Sequence, residues 1–390
     1  IWTNLSGIII TNPPADENSE ETYTTNVVEY FYHVLMVDAV GMRNQTETSN
    51  HDLKLHHDTK VNIGDARVLQ SFEVDSPALT VNGVLALEGK IQKLNADNLI
   101  GIRDFENNGV ISVAEEALFG YDTSSGFDSF VNHGSIFSFS SSYKSDYFEN
   151  TGDINASSAI NIQAGTVKLQ GGIISGRRVT VEADHLKMHG STLPASEKLI
   201  VQESFVDSGP GANNQVTVNN GFSILGNSHA GDLLGTSIKS VLPWWAEVQH
   251  IWASDDRGKS KDGFQNNAAI GHLHLTGVET ARARFSSPGQ PTALYVDYLE
   301  FSGGFAAHWE RNLTIDEDVT LYFGDSNVPI HELDGALGGR LQWVADYAGP
   351  RSGVNITTRQ GVMDRVNKAR LRSERIDDDG DGVVNAFDSD

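Results

Sequence analysis

A chain of 390 residues with 39% hydrophobic content can bury one large core or several ordinary ones, which excludes a disordered polypeptide. Its 52 acidic and 28 basic residues give a formal net charge of -24, which argues against nucleic acid or an anionic membrane as partner and favours divalent cations. With no cysteine there is no disulfide, thiolate metal site or cysteine nucleophile, and no run approaches the ~18 apolar residues of a membrane-spanning helix.

The chain opens on Ile1 with no basic-then-apolar leader, so the expectation is a mature chain cut from a precursor, or part of a longer one. Residues 1–64 read as an N-terminal strand and cap. Ile1-Trp2-Thr3 and Gly7-Ile8-Ile9-Ile10 are strand-like, a polar Pro13-Pro14 linker follows, and an apolar stretch runs from Val27 to Val37. Such a segment suits a cover for an open coil end, or a strand donated to a neighbouring chain.

Residues 65–225 carry a degenerate repeat. Phe105-x-Asn107-x-Gly109-x-Ile111, Phe130-x-Asn132-x-Gly134-x-Ile136 and Phe148-x-Asn150-x-Gly152-x-Ile154 share one F-x-N-x-G-x-I pattern. Each copy reads as strand, Asn-x-Gly turn, strand, with Phe and Ile on one side because an even number of residues separates them. Weaker versions occur at Leu79–Leu87 and from Ile160 to Phe222. Units this short cannot bury their own apolar face, so they stack. The expected fold class is therefore all-β, a parallel β-helix with about one coil per ~18–25 residues. The repeated Asn residues are expected to form turn-capping ladders, and the Phe and Ile residues core. These copies resemble the coils of filamentous-haemagglutinin-type and autotransporter β-helices, a likeness that implies a secreted, surface-associated bacterial solenoid.

Residues 226–350 are β-rich, with Trp244-Trp245, Trp252, Leu294–Phe301, Leu313-Thr-Ile315 and Val319–Phe323 as strand material. They fit a solenoid continuation or a sandwich. Ser254–Gly263 is a loop by composition, and its Asp255-Asp256 pair is a possible secondary cation site.

Residues 351–390 read as one helix, Gly361 to Ile376, followed by a calcium loop. Val362, Met363, Val366 and Ala369 form its apolar face, and its cations sit near the C-terminus, where the helix dipole favours them. Beyond it, Asp377, Asp379, Asp381, the Val383 carbonyl, Asn385 and Asp388 fall at positions 1, 3, 5, 7, 9 and 12 of an oxygen-ligand loop, with Gly382 at its turn. So many carboxylates repel one another without a cation, so the expected cofactor is Ca2+. The loop closes on Asp388, where a helix-loop-helix hand carries a longer Glu. It resembles a type-3 thrombospondin repeat, which implies a secreted calcium-binding protein.

Other constellations are thinner. Arg177-Arg178 with Glu182 and Asp184 is the nearest approach to the base and carboxylates of a calcium-dependent polysaccharide lyase, the enzymatic alternative. His272 and His274 share a strand face but lack a third ligand at readable spacing, and His51 and His56-His57-Asp58 are no stronger. Asn4, Asn44, Asn155, Asn312 and Asn355 sit in N-x-S/T triplets and are read as unmodified. The expectation is an extracellular, non-enzymatic structural protein: a rigid calcium-stabilised solenoid that joins a surface fibre, layer or adhesin stalk through its terminal segments. Its expected partners are further copies of the chain and cell-surface glycans, without nucleic acid.

Overall fold

Strands of two to twelve residues are the building material, the longer ones with alternating burial, as in Ala159–Gln170 and Arg178–His189, where buried and outward positions alternate over most of the length. The computed structural model describes residues 61–352 except 65, 69–70, 88–92, 95–98, 121–125, 196–197, 203–204, 208–210, 226–230 and 253. It also describes 9–11, 25–27, 48–49, 52–56, 355–358 and 361–364. The architecture is an all-β parallel β-helix, and the chain divides into two compact units, one of residues 1–167 and 172–176, the other of 168–171 and 177–390.

In the first unit Leu79, Phe105, Phe130 and Phe148 lie in register on successive parallel strands. A second ladder aligns Leu85, Ile111, Ile136, Ile154 and Ile174. The last four of these are 25, 18 and 20 residues apart, so the coil length matches the repeat read from sequence. Inside, Phe105, Phe130 and Phe148 stack face to face with centroids 5.1 and 5.2 Å apart. Phe119 and Tyr143, in register on a third ladder, form a parallel stack at 5.1 Å; Phe119 meets Phe130 at a tilt and Tyr143 meets it edge-on. Full burial of each such ring contributes about 1.5–3 kcal/mol, with a further ~0.5–1.5 kcal/mol per ring pair.

Parallel pairing in this unit reaches back to Thr48–Ser49, beside Ala66–Val68, and to Asp52–His56, beside Ser71–Asp75. Ile9–Thr11 pairs antiparallel with Thr25–Val27 of its own chain, which occupies one edge of the strand considered for donation.

In the second unit Leu193, Val216, Ile238, Leu273, Leu299 and Ser326 align on one ladder. Val248, Ala283 and Leu313 align on another. Pairing across residues 231–343 is parallel, as a solenoid continuation requires. Ser254–Gly263 carries no strand, only a short 3-10 turn at Lys261–Phe264.

The helix expected from Gly361 is corrected. Gly361–Asp364 is a strand, paired antiparallel with Asn355–Thr358, with Ile356 opposite Met363 and Thr357 opposite Val362. Val362 and Met363 can serve a strand as well as a helix, and the neighbouring Ile-Thr-Thr run is β-favouring, so a partner strand decides the matter. The remainder of the expected helix, 365–376, lies outside the described residues.

Candidate functional site

The Asn-x-Gly corners are built from the inside. Asn107, Asn132 and Asn150 are 0%, 0% and 1% exposed, so their carboxamides need protein partners. Neighbouring strands lie ~4.8 Å apart, a spacing at which one carboxamide can donate to the next along the axis. Asn107 Nδ2 donates to Asn132 Oδ1 at 2.7 Å, and Asn132 Nδ2 donates to Asn150 Oδ1 at 2.7 Å. Backbone closes both ends: Gly109 N donates to Asn107 Oδ1 at 3.2 Å, and Asn150 Nδ2 donates to the Gly152 carbonyl at 2.7 Å. A Cβ on Gly134 would lie 1.9 Å from Gly109 O, and one on Gly152 2.0 Å from Gly134 O, so only glycine allows this approach. The asparagines are thus a structural ladder, the role their spacing predicts.

On the outer side of the second unit, His272 and His274 lie parallel with ring centroids 6.0 Å apart. Glu300 sits between them, its Oε2 2.8 Å from His272 Nε2 and its Oε1 3.7 Å from His274 Nε2. His274 Nε2 also lies 2.6 Å from Ser302 Oγ, which donates to Thr276 Oγ1 at 2.8 Å. Burial pushes both imidazoles below their ordinary range and Glu300 pulls them back up; Arg351 adds to the lowering at His272 and Lys239 at His274. The pair shares a face as expected and is engaged in hydrogen bonds. Among the described residues no group of three or more His, Asp or Glu side chains is placed to hold a metal ion. Arg177, Arg178, Glu182 and Asp184 are exposed within one coil, again as their spacing predicts.

The Ser254–Asn267 loop is locked from below by two tyrosines. Tyr295 Oη accepts from Arg257 N at 2.8 Å and donates to the Gly258 carbonyl at 2.9 Å, and Tyr322 Oη donates to Asp256 Oδ1 at 3.0 Å. Burial raises both phenol pKa values far above the ordinary range, with the Asp256 charge adding to it, so both stay protonated donors. Asn267 Nδ2 donates to the Asp255 carbonyl at 2.8 Å, and Lys259 Nζ lies 3.2 Å from Asp334 Oδ1. Asp255 and Asp256, read as a possible cation site, here hold loop contacts. The composition of the loop reveals a breaker; the tyrosines that fasten it lie about forty and sixty-five residues further on.

A groove of about 730 Å³ is lined by Ala307, His308, Trp309, Arg311, Val328 and Glu332. The short helices Gly303–Ala306 and Trp309–Asn312 shape it. Asn312, 5% exposed, fastens them by donating to the Glu279 carbonyl at 2.7 Å, and His308 Nε2 lies 3.8 Å from Glu279 Oε2. That engagement leaves the Asn312 triplet closed to modification in the folded chain. Sequence reading missed the groove, because its only local signal is a tryptophan in a polar stretch.

The calcium-loop residues Asp377, Asp379, Asp381, Val383, Asn385 and Asp388 lie outside the described residues, as do His51, His57 and Asp58. No family model, curated protein or solved structure gives a significant match to this chain.

Proposed function

We propose that the chain is an extracellular structural protein, a stiff β-solenoid subunit of a surface fibre, layer or adhesin stalk, with calcium setting a joint at its C-terminal end. The observation that carries this reading is the repetition of one side chain at one place, coil after coil, in the Asn107–Asn132–Asn150 and Phe105–Phe130–Phe148 ladders. Such stacking resists bending and shear because every displacement breaks several aligned contacts together. The likeness of the repeat to filamentous-haemagglutinin-type and autotransporter coils belongs to the same proposal.

The donor set of Asp377, Asp379, Asp381, Val383, Asn385 and Asp388 is all oxygen, the chemistry calcium takes, and extracellular modules bind it at ~10⁻⁴–10⁻³ M. These residues would hold the ion, whose charge would offset their mutual repulsion. Electron microscopy and thermal melting of the native protein, with calcium and with EGTA, test the proposal. Ordered assemblies that loosen on chelation, with a lowered melting temperature, are expected. Unchanged assembly and melting would remove calcium as a joint, and a dispersed monomer under both conditions would remove the assembly.

A further inference from the structure

Trp244 and Trp245 are 69% and 72% exposed, the most exposed large apolar side chains among the described residues. Single exposed apolar side chains are common on protein surfaces, whereas large ones side by side mark interaction sites. Their rings stand 5.8 Å apart at 87°, two flat faces aimed in different directions. The turn that carries them follows Leu242, in register with Gly277, which in turn bridges Gly303. The turns at 243–246, 278–281 and 303–312 therefore come from successive coils, each step worth ~4.8 Å along the axis. Val278, 51% exposed, lies on the second of these turns, and the groove on the third, where Trp309 is 7% exposed and stacks on Phe301.

Four occupants differ in chemistry. A protein interface of ordinary size buries ~1,600 Å², far more than two indoles and a valine supply. An anionic lipid surface asks for basic residues beside the tryptophans, yet Glu247 follows them and Glu279, 69% exposed, borders the next turn. An anionic polysaccharide meets the same carboxylates and a net charge of -24. An uncharged sugar chain meets none of these penalties. Its C–H faces are apolar plates of indole size, and its hydroxyls can exchange hydrogen bonds with charged groups at a groove rim. Arg311 and Glu332 provide such groups, and the groove volume lies within the ~300–1,000 Å³ of small-molecule sites.

We propose that this corner binds an uncharged polysaccharide, with sugar rings on Trp244 and Trp245 and hydroxyls in the groove beside Trp309. The site depends on neither the calcium loop nor assembly, so its test runs with EGTA present. Affinity electrophoresis of the full chain through gels holding soluble starch, galactomannan or hydroxyethyl cellulose, with alginate as the anionic control, measures retardation. Retardation by at least one uncharged polymer is expected, with at least a roughly tenfold weaker apparent affinity in the W244A/W245A variant, the loss typical of removing an aromatic anchor. Circular dichroism melting shows whether that variant keeps its fold, and Arg311→Ala offers a second route to weakened binding. The exposed Phe139→Ala variant is expected to bind as the parent does. Absence of retardation by every uncharged polymer, or retardation equal in parent and W244A/W245A, overturns the proposal. So does tryptophan-dependent binding to phosphatidylglycerol vesicles without sugar binding.

Discussion

The coils at residues 78–156 and those at 213–343 use the same parallel pairing and fill their interiors with different regularity. The first set repeats one residue at the positions of its motif: phenylalanine over phenylalanine, asparagine over asparagine, glycine over glycine. The second set keeps like residues in register at Leu294–Leu321–Leu341 and Tyr295–Tyr322, mixes Val248, Ala283 and Leu313 on another ladder, and fastens a long loop over the two tyrosines. A repeated interior is stiff and intolerant at its narrowest positions. A varied interior concentrates its specificity in a few long-range hydrogen bonds and leaves room for turns of unequal length, where the groove and the exposed tryptophans arise.

The largest effect expected from this difference is at a ladder glycine. Gly134→Ala places a methyl 1.9 Å from a backbone oxygen, and only movement of the backbone can relieve it. A loss of about 4 kcal/mol or more is expected in urea unfolding. Gly211→Ala in the other unit, with nothing within 4 Å of its would-be Cβ, should stay within about 0.5 kcal/mol. Equal losses at the two positions would break the comparison.

Next comes the amide ladder. Asn132→Ala removes the acceptor of Asn107 and the donor to Asn150, leaving two buried carboxamides short of a partner. About 2–4 kcal/mol of destabilisation is expected, because each orphaned group costs ~1–3 kcal/mol. Equilibrium unfolding measures it, and a loss below 1 kcal/mol would show that the coil corners do not need the ladder.

In the varied unit, Tyr295→Phe deletes one hydroxyl that serves two backbone groups of the loop. About 1–2 kcal/mol is expected. The effect should appear first as faster proteolysis at the Arg257–Lys259 bonds rather than as global unfolding. Uniform loss of stability without local cleavage would show that the loop is part of the core.

The smallest effect concerns pH. Burial holds the folded His272 pKa below its ordinary value, so between the two values the unfolded chain carries more protons than the folded one. Stability should therefore rise with pH through that window and fall as pH drops below ~6.5. His272→Gln should flatten the slope of the urea midpoint between about pH 7 and 5.5. An unchanged slope would place the titration elsewhere.

The repeat made the first coils readable. Phe130 and Phe148 each sit two residues before an asparagine and four before a glycine, and a translational fold turns identical spacing into identical stacking. Phe119 and Tyr143 share the same stack and went unremarked, although each follows its repeat phenylalanine by 13 or 14 residues, a regularity visible only once the coil length is known. The Gly361 segment misled because a helical face of Val362 and Met363 is also acceptable strand material, and the partner strand at Asn355–Thr358 carries no local mark of that pairing.

Composition and spacing alone determined the parallel β-helix class, the range of coil length, and the inward placement of the repeated Phe, Ile and Asn side chains, because each depends on a spacing that recurs unchanged inside every copy of the repeat. Tertiary structure alone decided that Tyr295 and Tyr322 lock the 254–267 loop, that Glu300 joins His272 and His274, and that the turns bearing Trp244, Val278 and Trp309 fall on successive coils. Those meetings depend on the number of residues in intervening turns, and turns of unequal length leave no period in the sequence from which their partners could be read.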